Sequence, residues 1–111
     1  MQISGEIVVG ADCVSFGNAT AFIYLEDVGR ADAPSQMLGR AKLSGAMHEM
    51  GSESRIPFAV ETADNPDTGE VAIRVHVSLD GHEDVAAGDL VSTSHTQAVS
   101  GQSVDVAVRT V

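Results

Sequence analysis

The stretch at residues 19–34, ATAFIYLEDVGRADAP, decides the type of fold because it alternates like a strand and then breaks into a polar turn. The side chains on one face of this period-2 strand are Ala21, Ile23 and Leu25. The acidic pair at 26–27 ends the strand, since two adjacent charges are costly to bury together. Residues 32–34, Asp-Ala-Pro, then predict a turn. We therefore expect this strand to lie in the middle of a sheet.

The rest of the chain repeats the alternation in short segments separated by turn residues. Counting the first stretch, the predicted strands lie within residues 3–9, 19–27, 40–47, 56–60, 71–79, 90–99 and 104–108. Residues 64–69, DNPDTG, are the strongest turn signal in the chain. The segment SQMLG at residues 35–39 allows one helical turn, and no longer window keeps a helical period.

Seven short strands with this spacing predict an all-β fold, a single domain over residues 1–111. We expect an antiparallel β-sandwich, with an immunoglobulin-like sandwich or a small barrel as variants, because half-buried alternation leaves each sheet one wet face. The predicted core is mainly aliphatic. Its inward-facing side chains are Ile3, Ile7, Ala21, Ile23, Leu25, Leu43, Ile56, Phe58, Val60, Val71, Ile73, Val75, Val77, Leu79, Val104, Val106 and Val108.

The chain is strongly acidic, with a formal net charge of −10. Such a surface repels nucleic acid and anionic membranes. The N-terminus MQISGEIVVGADC lacks a basic region and carries Glu6 within its apolar run, so we expect neither a signal peptide nor a membrane span. As given, the chain is predicted to be cytoplasmic, or an envelope protein if a leader has been removed.

Cysteine chemistry is not predicted to shape this fold. Cys13 is the single cysteine, so no intramolecular disulfide can form. A lipoprotein attachment site is not expected there, because Asp12 stands where a small neutral residue would precede the modified cysteine. The same aspartate raises the pKa expected for the thiol, which favours a resting thiol over a reactive one.

A metal site is the main chemical alternative. The four histidines are His48, His76, His82 and His95. Their spacing matches no local ligand motif, and the alternation places His76 on the outward face with Arg74, so we interpret the histidines as surface residues. The acidic loops at 64–70 and 80–84 could bind calcium weakly, but neither has the ligand pattern of a helix-flanked calcium loop, so we interpret them as solvated turns.

Catalytic signatures are missing from the sequence. No Gly-x-Ser-x-Gly elbow marks a nucleophile, and no glycine-rich phosphate loop or basic-aromatic surface occurs. We therefore predict no enzyme activity, no catalytic residues and no cofactor. A small metal-binding protein or an uncharacterised enzyme remains the alternative.

One strand carries a proline that limits its position in the sheet. Pro57 cannot donate a hydrogen bond to a ladder, so its strand is predicted to be an edge strand or a bulged one. Exposed strand edges accept other chains. The predicted partner edge consists of Arg55, Ile56, Pro57, Phe58 and Ala59.

Two motifs carry a resemblance to a known family. The segment LEDVGRADAP at residues 25–34, followed by RIPF at residues 55–58, resembles the YbaY family of bacterial envelope lipoproteins, which is similar to the YscW-type pilotins of type III secretion. The resemblance implies a β-sandwich without catalysis. It further implies the role of such pilotins, which are lipid-anchored escorts that bind a secretin subunit and help deliver it to the outer membrane. The predicted function is therefore a non-catalytic binding or chaperone-like domain.

Overall fold

Eight β-strands make up the regular structure of the chain in the computed structural model, which describes residues 2–27, 36–61, 71–93, 96–98 and 102–111. The strands are β1 (Gln2–Val9), β2 (Phe16–Asp27), β3 (Gln36–His48), β4 (Ser54–Glu61), β5 (Val71–Ser78), β6 (Leu90–Ser92), β7 (Thr96–Ala98) and β8 (Ser103–Thr110). No helix occurs within the described ranges, and none of their segments could cross a membrane as a helix. The all-β prediction is confirmed.

All eight strands belong to one sheet with the order β3-β2-β5-β6-β8-β1-β4, and β7 also pairs with β5. The end strands β3 and β4 lie against each other, so the sheet curls into a nearly closed barrel. The fold therefore corresponds to the small-barrel variant of the predicted all-β domain.

The sheet contains one departure from the antiparallel prediction. β1 and β8 pair in parallel, while the other strand pairs are antiparallel. A parallel pair needs a long crossover connection. The first and last strands satisfy this condition because the rest of the domain runs between them.

The long strand β2 is the interior strand that the sequence predicts. It pairs with β3 on one side and with β5 on the other. Ala21, Ile23 and Leu25 are fully buried inside the barrel. Phe22 and Tyr24 point to the opposite face and are buried as well. Both faces of β2 are therefore covered. Its aromatic residues are buried although they lie on the face opposite the aliphatic ones.

A bulge in β3 changes which of its side chains face the core. Ala19 pairs with Ala46 but Ala21 pairs with Leu43, so β3 carries one extra residue there. Gly45 adopts a φ of 77° at this point, a conformation that glycine reaches without steric cost. A regular strand would place residues 41, 43, 45 and 47 on one face, and the bulge breaks this alternation. Beyond the bulge Ala46 and His48 are buried and Met47 is exposed.

The aliphatic core otherwise agrees with the predicted inward residues. All of them except Leu79 belong to the core cluster or pack against it. Leu79 is 41% exposed because β5 ends one residue earlier. Val9, Ala19, Ala46, Leu90 and Ala98 join the core without having been predicted. The predicted helical turn near residues 35–39 is also wrong, since β3 already begins at residue 36.

Some predictions fall outside the described residues. These are the turns at 32–34 and 64–69, the calcium hypothesis for 64–70, and His95.

The close approach of β1 and β8 leads to a stability prediction. A Cβ atom added to Gly5 would collide with the carbonyl oxygen of Val104. Backbone atoms of paired strands cannot move aside as a flexible side chain can. We expect Gly5→Ala to lower the free energy of unfolding by about 3 kcal/mol, measured by urea denaturation.

Gly17→Ala is the matched control, because a Cβ atom on Gly17 would meet no atom within 4 Å. This change should alter the free energy of unfolding by less than about 1 kcal/mol. Equal effects of the two substitutions would contradict the packing of β1 against β8.

Candidate functional site

The predicted partner edge lies on β4, which is the last strand in the order of the sheet. Within the described parts of the chain, β4 pairs through its backbone with β1 alone. The prediction that Pro57 lies on an edge strand is therefore confirmed. An edge strand tolerates a residue without a backbone N–H. The side chains of Arg55, Pro57 and Ala59 are exposed, Ile56 is half-buried and Phe58 is buried. The edge thus presents three of its five residues to solvent.

The second edge of β4 faces β3 across the seam of the barrel. A Cβ atom on Gly39 would lie 2.8 Å from the carbonyl oxygen of Glu61. At the other end of the seam, His48 Nδ1 and Ser54 Oγ lie 2.7 Å apart. No backbone ladder joins β3 and β4 in the part of the chain that the structure describes. The surface of β4 that is open to a partner is therefore its outward face.

Arg55 connects three strands on this outward face. Its guanidinium lies 3.0 Å from a Glu53 oxygen, 3.3 Å from Asp105 on β8 and 3.5 Å from Glu6 on β1. Hydrogen bonds to Glu53 and Asp105 raise the pKa of Arg55 above its ordinary value. All four side chains are substantially exposed, so each pair contributes little stability on its own. The network neutralises Arg55 and leaves this side of the barrel net acidic.

A buried hydrogen bond between a histidine and an aspartate lies on the outer face of β5. His76 Nε2 donates a hydrogen bond of 2.8 Å to Asp89 Oδ2, and the two side chains are 2% and 3% exposed. The alternation correctly places His76 on the face of Arg74, but the prediction that it is a surface residue is wrong. The His76 ring also stacks on Phe22, with centroids 5.8 Å apart. Residues 79–89 supply the cover for this face.

Asp89 holds the segment 79–89 in place. Its carboxylate also accepts the backbone N–H of Leu79 at 3.1 Å and of Ala86 at 3.0 Å. Burial raises the pKa of Asp89, but the hydrogen bonds from His76 and these two amides outweigh it, and the net pKa is lowered. The carboxylate is thus ionised and fully engaged with donors.

A further contact ties the same segment to the neighbouring strands. Glu83 forms an ion pair of 2.6 Å with Arg40 on β3. Burial raises the pKa of Tyr24, and the negative charge of Glu83 raises it by a smaller amount. The guanidinium of Arg74 lies 4.3 Å above the Tyr24 ring, a cation–π contact. These contacts explain how β2 is covered on its outer face.

The second buried histidine joins two loops at one end of the barrel. His48 is 4% exposed, so its prediction as a surface residue is wrong. Its Nε2 lies 3.2 Å from the carbonyl oxygen of Cys13 and its Nδ1 lies 2.7 Å from Ser54 Oγ. Since a carbonyl only accepts, Nε2 carries the proton and donates to it. Of the three histidines that the structure describes, only His82 is exposed as predicted.

An exposed apolar cluster, here called the apolar tip, lies at this same end of the barrel. It consists of Val14, Met47 and Met50, which are 63%, 70% and 61% exposed. The N–H of Met50 donates to Ser15 Oγ at 2.8 Å, and the N–H of Gly51 donates to the Ala11 carbonyl at 2.7 Å. These bonds tie the loop before β2 to the turn after β3. Met47 also lines a cleft of about 650 Å³.

The described residues do not assemble a metal centre. Among them, no three His, Cys, Asp or Glu side chains lie close enough to share a metal ion. His76 Nδ1 is buried without a hydrogen-bond partner, and Asp89 already accepts three hydrogen bonds. Ser78 Oγ donates to Asp80 at 2.8 Å. These polar groups therefore stabilise the position of the segment 79–89 against β5.

Comparison with known proteins gives a likeness in fold. No family model matches the chain, and no curated protein matches it. Its structure is similar to that of an alternative pilotin from the type II secretion system of Vibrio cholerae, with a TM-score of 0.72 and 16% sequence identity. The similarity covers 100% of this chain and 96% of that chain. The chain therefore has a pilotin-like fold, while membership of the YbaY or YscW-type family stays a prediction.

The Asp89 carboxylate gives a prediction about stability. Asp89→Asn preserves the shape of the side chain but leaves one of three buried donors without an acceptor. We expect the free energy of unfolding at neutral pH to fall by about 2–4 kcal/mol, measured by urea denaturation. Asp105→Asn is the control, because the Asp105 side chain is 57% exposed and its removal should cost less than about 1 kcal/mol.

The pH dependence follows from the lowered pKa of Asp89. Its carboxylate contributes stability above the ordinary aspartate pKa of about 4, and this contribution is lost as the pH falls through the folded-state pKa. The stability difference between the unmodified chain and Asp89→Asn should shrink as the pH is lowered from neutral to about 3. A stability difference that stays constant over this range would contradict an ionised Asp89 carboxylate in the folded state.

Proposed function

We propose that this chain is a non-catalytic binding or chaperone-like domain with a pilotin-like role. The observation that carries the proposal is the fold similarity to a type II secretion pilotin, which spans nearly all of both chains. A likeness of this extent concerns the whole barrel rather than a single hairpin. The motifs at residues 25–34 and 55–58, which resemble a pilotin-related family, support the same role independently.

The chemistry of the described residues also supports a binding role. The buried polar side chains His48, His76 and Asp89 are engaged in contacts that hold loops against the barrel. The features that remain for function are surfaces, namely the outward face of β4 and the apolar tip. Surfaces without reactive groups favour binding over catalysis.

The proposed partner is another protein, and the resemblance to pilotins makes a secretin subunit the class to test. We propose that the outward face of residues 55–59 contributes to its docking. Ala59 presents a small exposed side chain on this face, next to β1 on one side and the seam on the other. An alternative role for Pro57 in the same strand is protection of the edge against aggregation.

A pull-down from the native host tests the proposed function and this surface. The immobilised chain should retain a secretin subunit, and Ala59→Lys should reduce the retained amount severalfold because a long charged side chain would stand within the contact. The change leaves the core intact, since Ala59 points outward.

Ala87→Lys is the matched control, because Ala87 is also exposed but lies in the connection between β5 and β6, which the strand order separates from β4. It adds the same charge and should leave retention unchanged. Circular dichroism would establish that all variants are folded. Equal retention by the two lysine variants would rule out the β4 edge, and no retained secretin subunit with the unmodified chain would contradict the proposed function.

A further inference from the structure

We propose that the apolar tip is the main docking surface of this chain, and that its ligand is a protein segment with apolar side chains flanked by Lys or Arg. The proposal rests on the proposed function in one respect, that the chain binds another protein. It goes further in naming the surface and the chemistry of the ligand.

The exposed apolar area is the first observation. Val14, Met47 and Met50 each expose more than half of their surface. Met47 lies near the end of β3, and hydrogen bonds from Met50 and Gly51 hold the turn after β3 beside the loop that carries Val14. Single exposed apolar residues are common, but a cluster beside a cleft marks an interaction site. Methionine suits such a site because its flexible thioether adapts to different apolar partners.

The cleft beside the cluster gives the ligand a place to anchor. Its lining residues are Ser15, Phe16, Gly17, Met47, His48, Glu49, Ser52 and Ser54. A volume of about 650 Å³ falls within the range of sites that bury ligand side chains. The half-buried Phe16 ring lies 5.7 Å from the His48 ring, and together they give the cleft an aromatic wall.

The floor of this cleft is preformed. His48 is buried and held through both ring nitrogens, by the Cys13 carbonyl on one side and the Ser54 hydroxyl on the other. A side chain held at both ends has little freedom to lose when a ligand binds. A preformed floor lowers the cost of ordering on association. The flexible methionine side chains at the rim can then adapt to the shape of the ligand.

Charge decides the chemistry of the ligand. Asp12 adjoins the Val14 loop, and Glu49 and Glu53 lie in the turn that carries Met50. The nearest base on β4, Arg55, is already shared among three carboxylates, while Arg109 lies on the β8 side of the Val14 loop. With a net charge of −10, this rim attracts a cationic segment and repels an acidic one.

The same charge argues against other occupants. An anionic lipid surface or a nucleic acid would be repelled by the acidic rim. A second copy of this chain would bring another strongly acidic surface to the contact. A cationic segment with apolar anchors satisfies both features of the tip. Ser54 lines the cleft and is also the first residue of β4, so a segment bound at the tip could continue onto the outward face of β4.

The test uses three synthetic peptides of about 15 residues, a length sufficient for a segment to span a groove. The first has leucines flanked by lysines, the second has the same leucines flanked by glutamates, and the third has lysines with serines in place of leucines. Binding is measured by fluorescence anisotropy and mapped by amide chemical shifts. We expect only the first peptide to bind, with shifts confined to residues 11–17 and 47–54.

The variants separate the tip from exposed methionine in general. The combined change Met47→Gln and Met50→Gln keeps side-chain length but removes apolar character, and it should weaken binding at least about tenfold. Met37→Gln is the matched control, since Met37 is 49% exposed on the opposite end of β3, and it should leave binding unchanged. Raising the NaCl concentration from about 50 to about 500 mM should weaken binding of the lysine peptide.

Several results would overturn the proposal. They are equal binding of the lysine and glutamate peptides, equal loss with Met37→Gln, and no binding of the first peptide. Met47- and Met50-dependent binding to phosphatidylcholine vesicles, or self-association lost in the double variant, would assign the tip to a lipid surface or to a second copy instead.

The pull-down distinguishes this proposal from the proposed function. A secretin subunit retained equally by the unmodified chain and the double Gln variant would leave the function standing and reject the tip. Peptide binding at the tip without any retained secretin subunit would support the tip as a docking surface and contradict the proposed function.

Discussion

The whole structure depends on one constraint, which is that a single sheet must enclose an aliphatic core by curling until its end strands meet. The chain has no tryptophan and only four aromatic residues, so the core is built from small branched side chains that pack at short distances. Such a core suits a narrow barrel. At the seam, Gly39 lets β3 approach the backbone of β4 without a side chain between them. Because no ladder joins the end strands within the described residues, β4 keeps β1 as its backbone partner and has an exposed outward face.

The strand pattern and most of the core could be predicted from sequence because period-2 alternation reflects one buried face. β1, β4 and β8 follow this rule directly, and Ile7, Phe58 and Val106 are buried as expected. The prediction fails at Gly45, where one extra residue reverses the alternation and turns Met47 outward. A glycine in an alternating segment is compatible with a regular strand or a bulge, and only the pairing with β2 decides between them.

Burial of the outer face of β5 could not be predicted for a different reason. His76 and Arg74 share a face, yet His76 is buried and Arg74 is not, because the cover comes from residues 79–89 through Asp89. A histidine and an aspartate 13 residues apart carry no local pattern that signals a pair. Such a hydrogen bond contributes little net stability compared with apolar packing, but removing one partner leaves a buried polar group of the other unsatisfied. The pair therefore serves to fix where the segment lies.

The sites that sequence reasoning missed share this dependence on distant contacts. The apolar tip joins a loop near residue 14 to a turn near residue 50, and the link is the buried His48, which was interpreted as a surface residue. The β4 edge, by contrast, was predictable, since proline limits the positions that a strand can occupy.

Charge and exposed apolar surface are complementary features of this molecule. Exposed methionines beside an open cleft favour self-association, and long-range repulsion between strongly acidic copies opposes it. The repulsion acts on other acidic proteins in the same way, so it restricts the tip to ligands that carry positive charge. A barrel with a net charge of −10 can therefore keep an apolar surface exposed until a cationic partner arrives. The number of acidic residues by itself indicates only solubility. Where acidic residues surround an apolar site, they also determine which ligands can bind there.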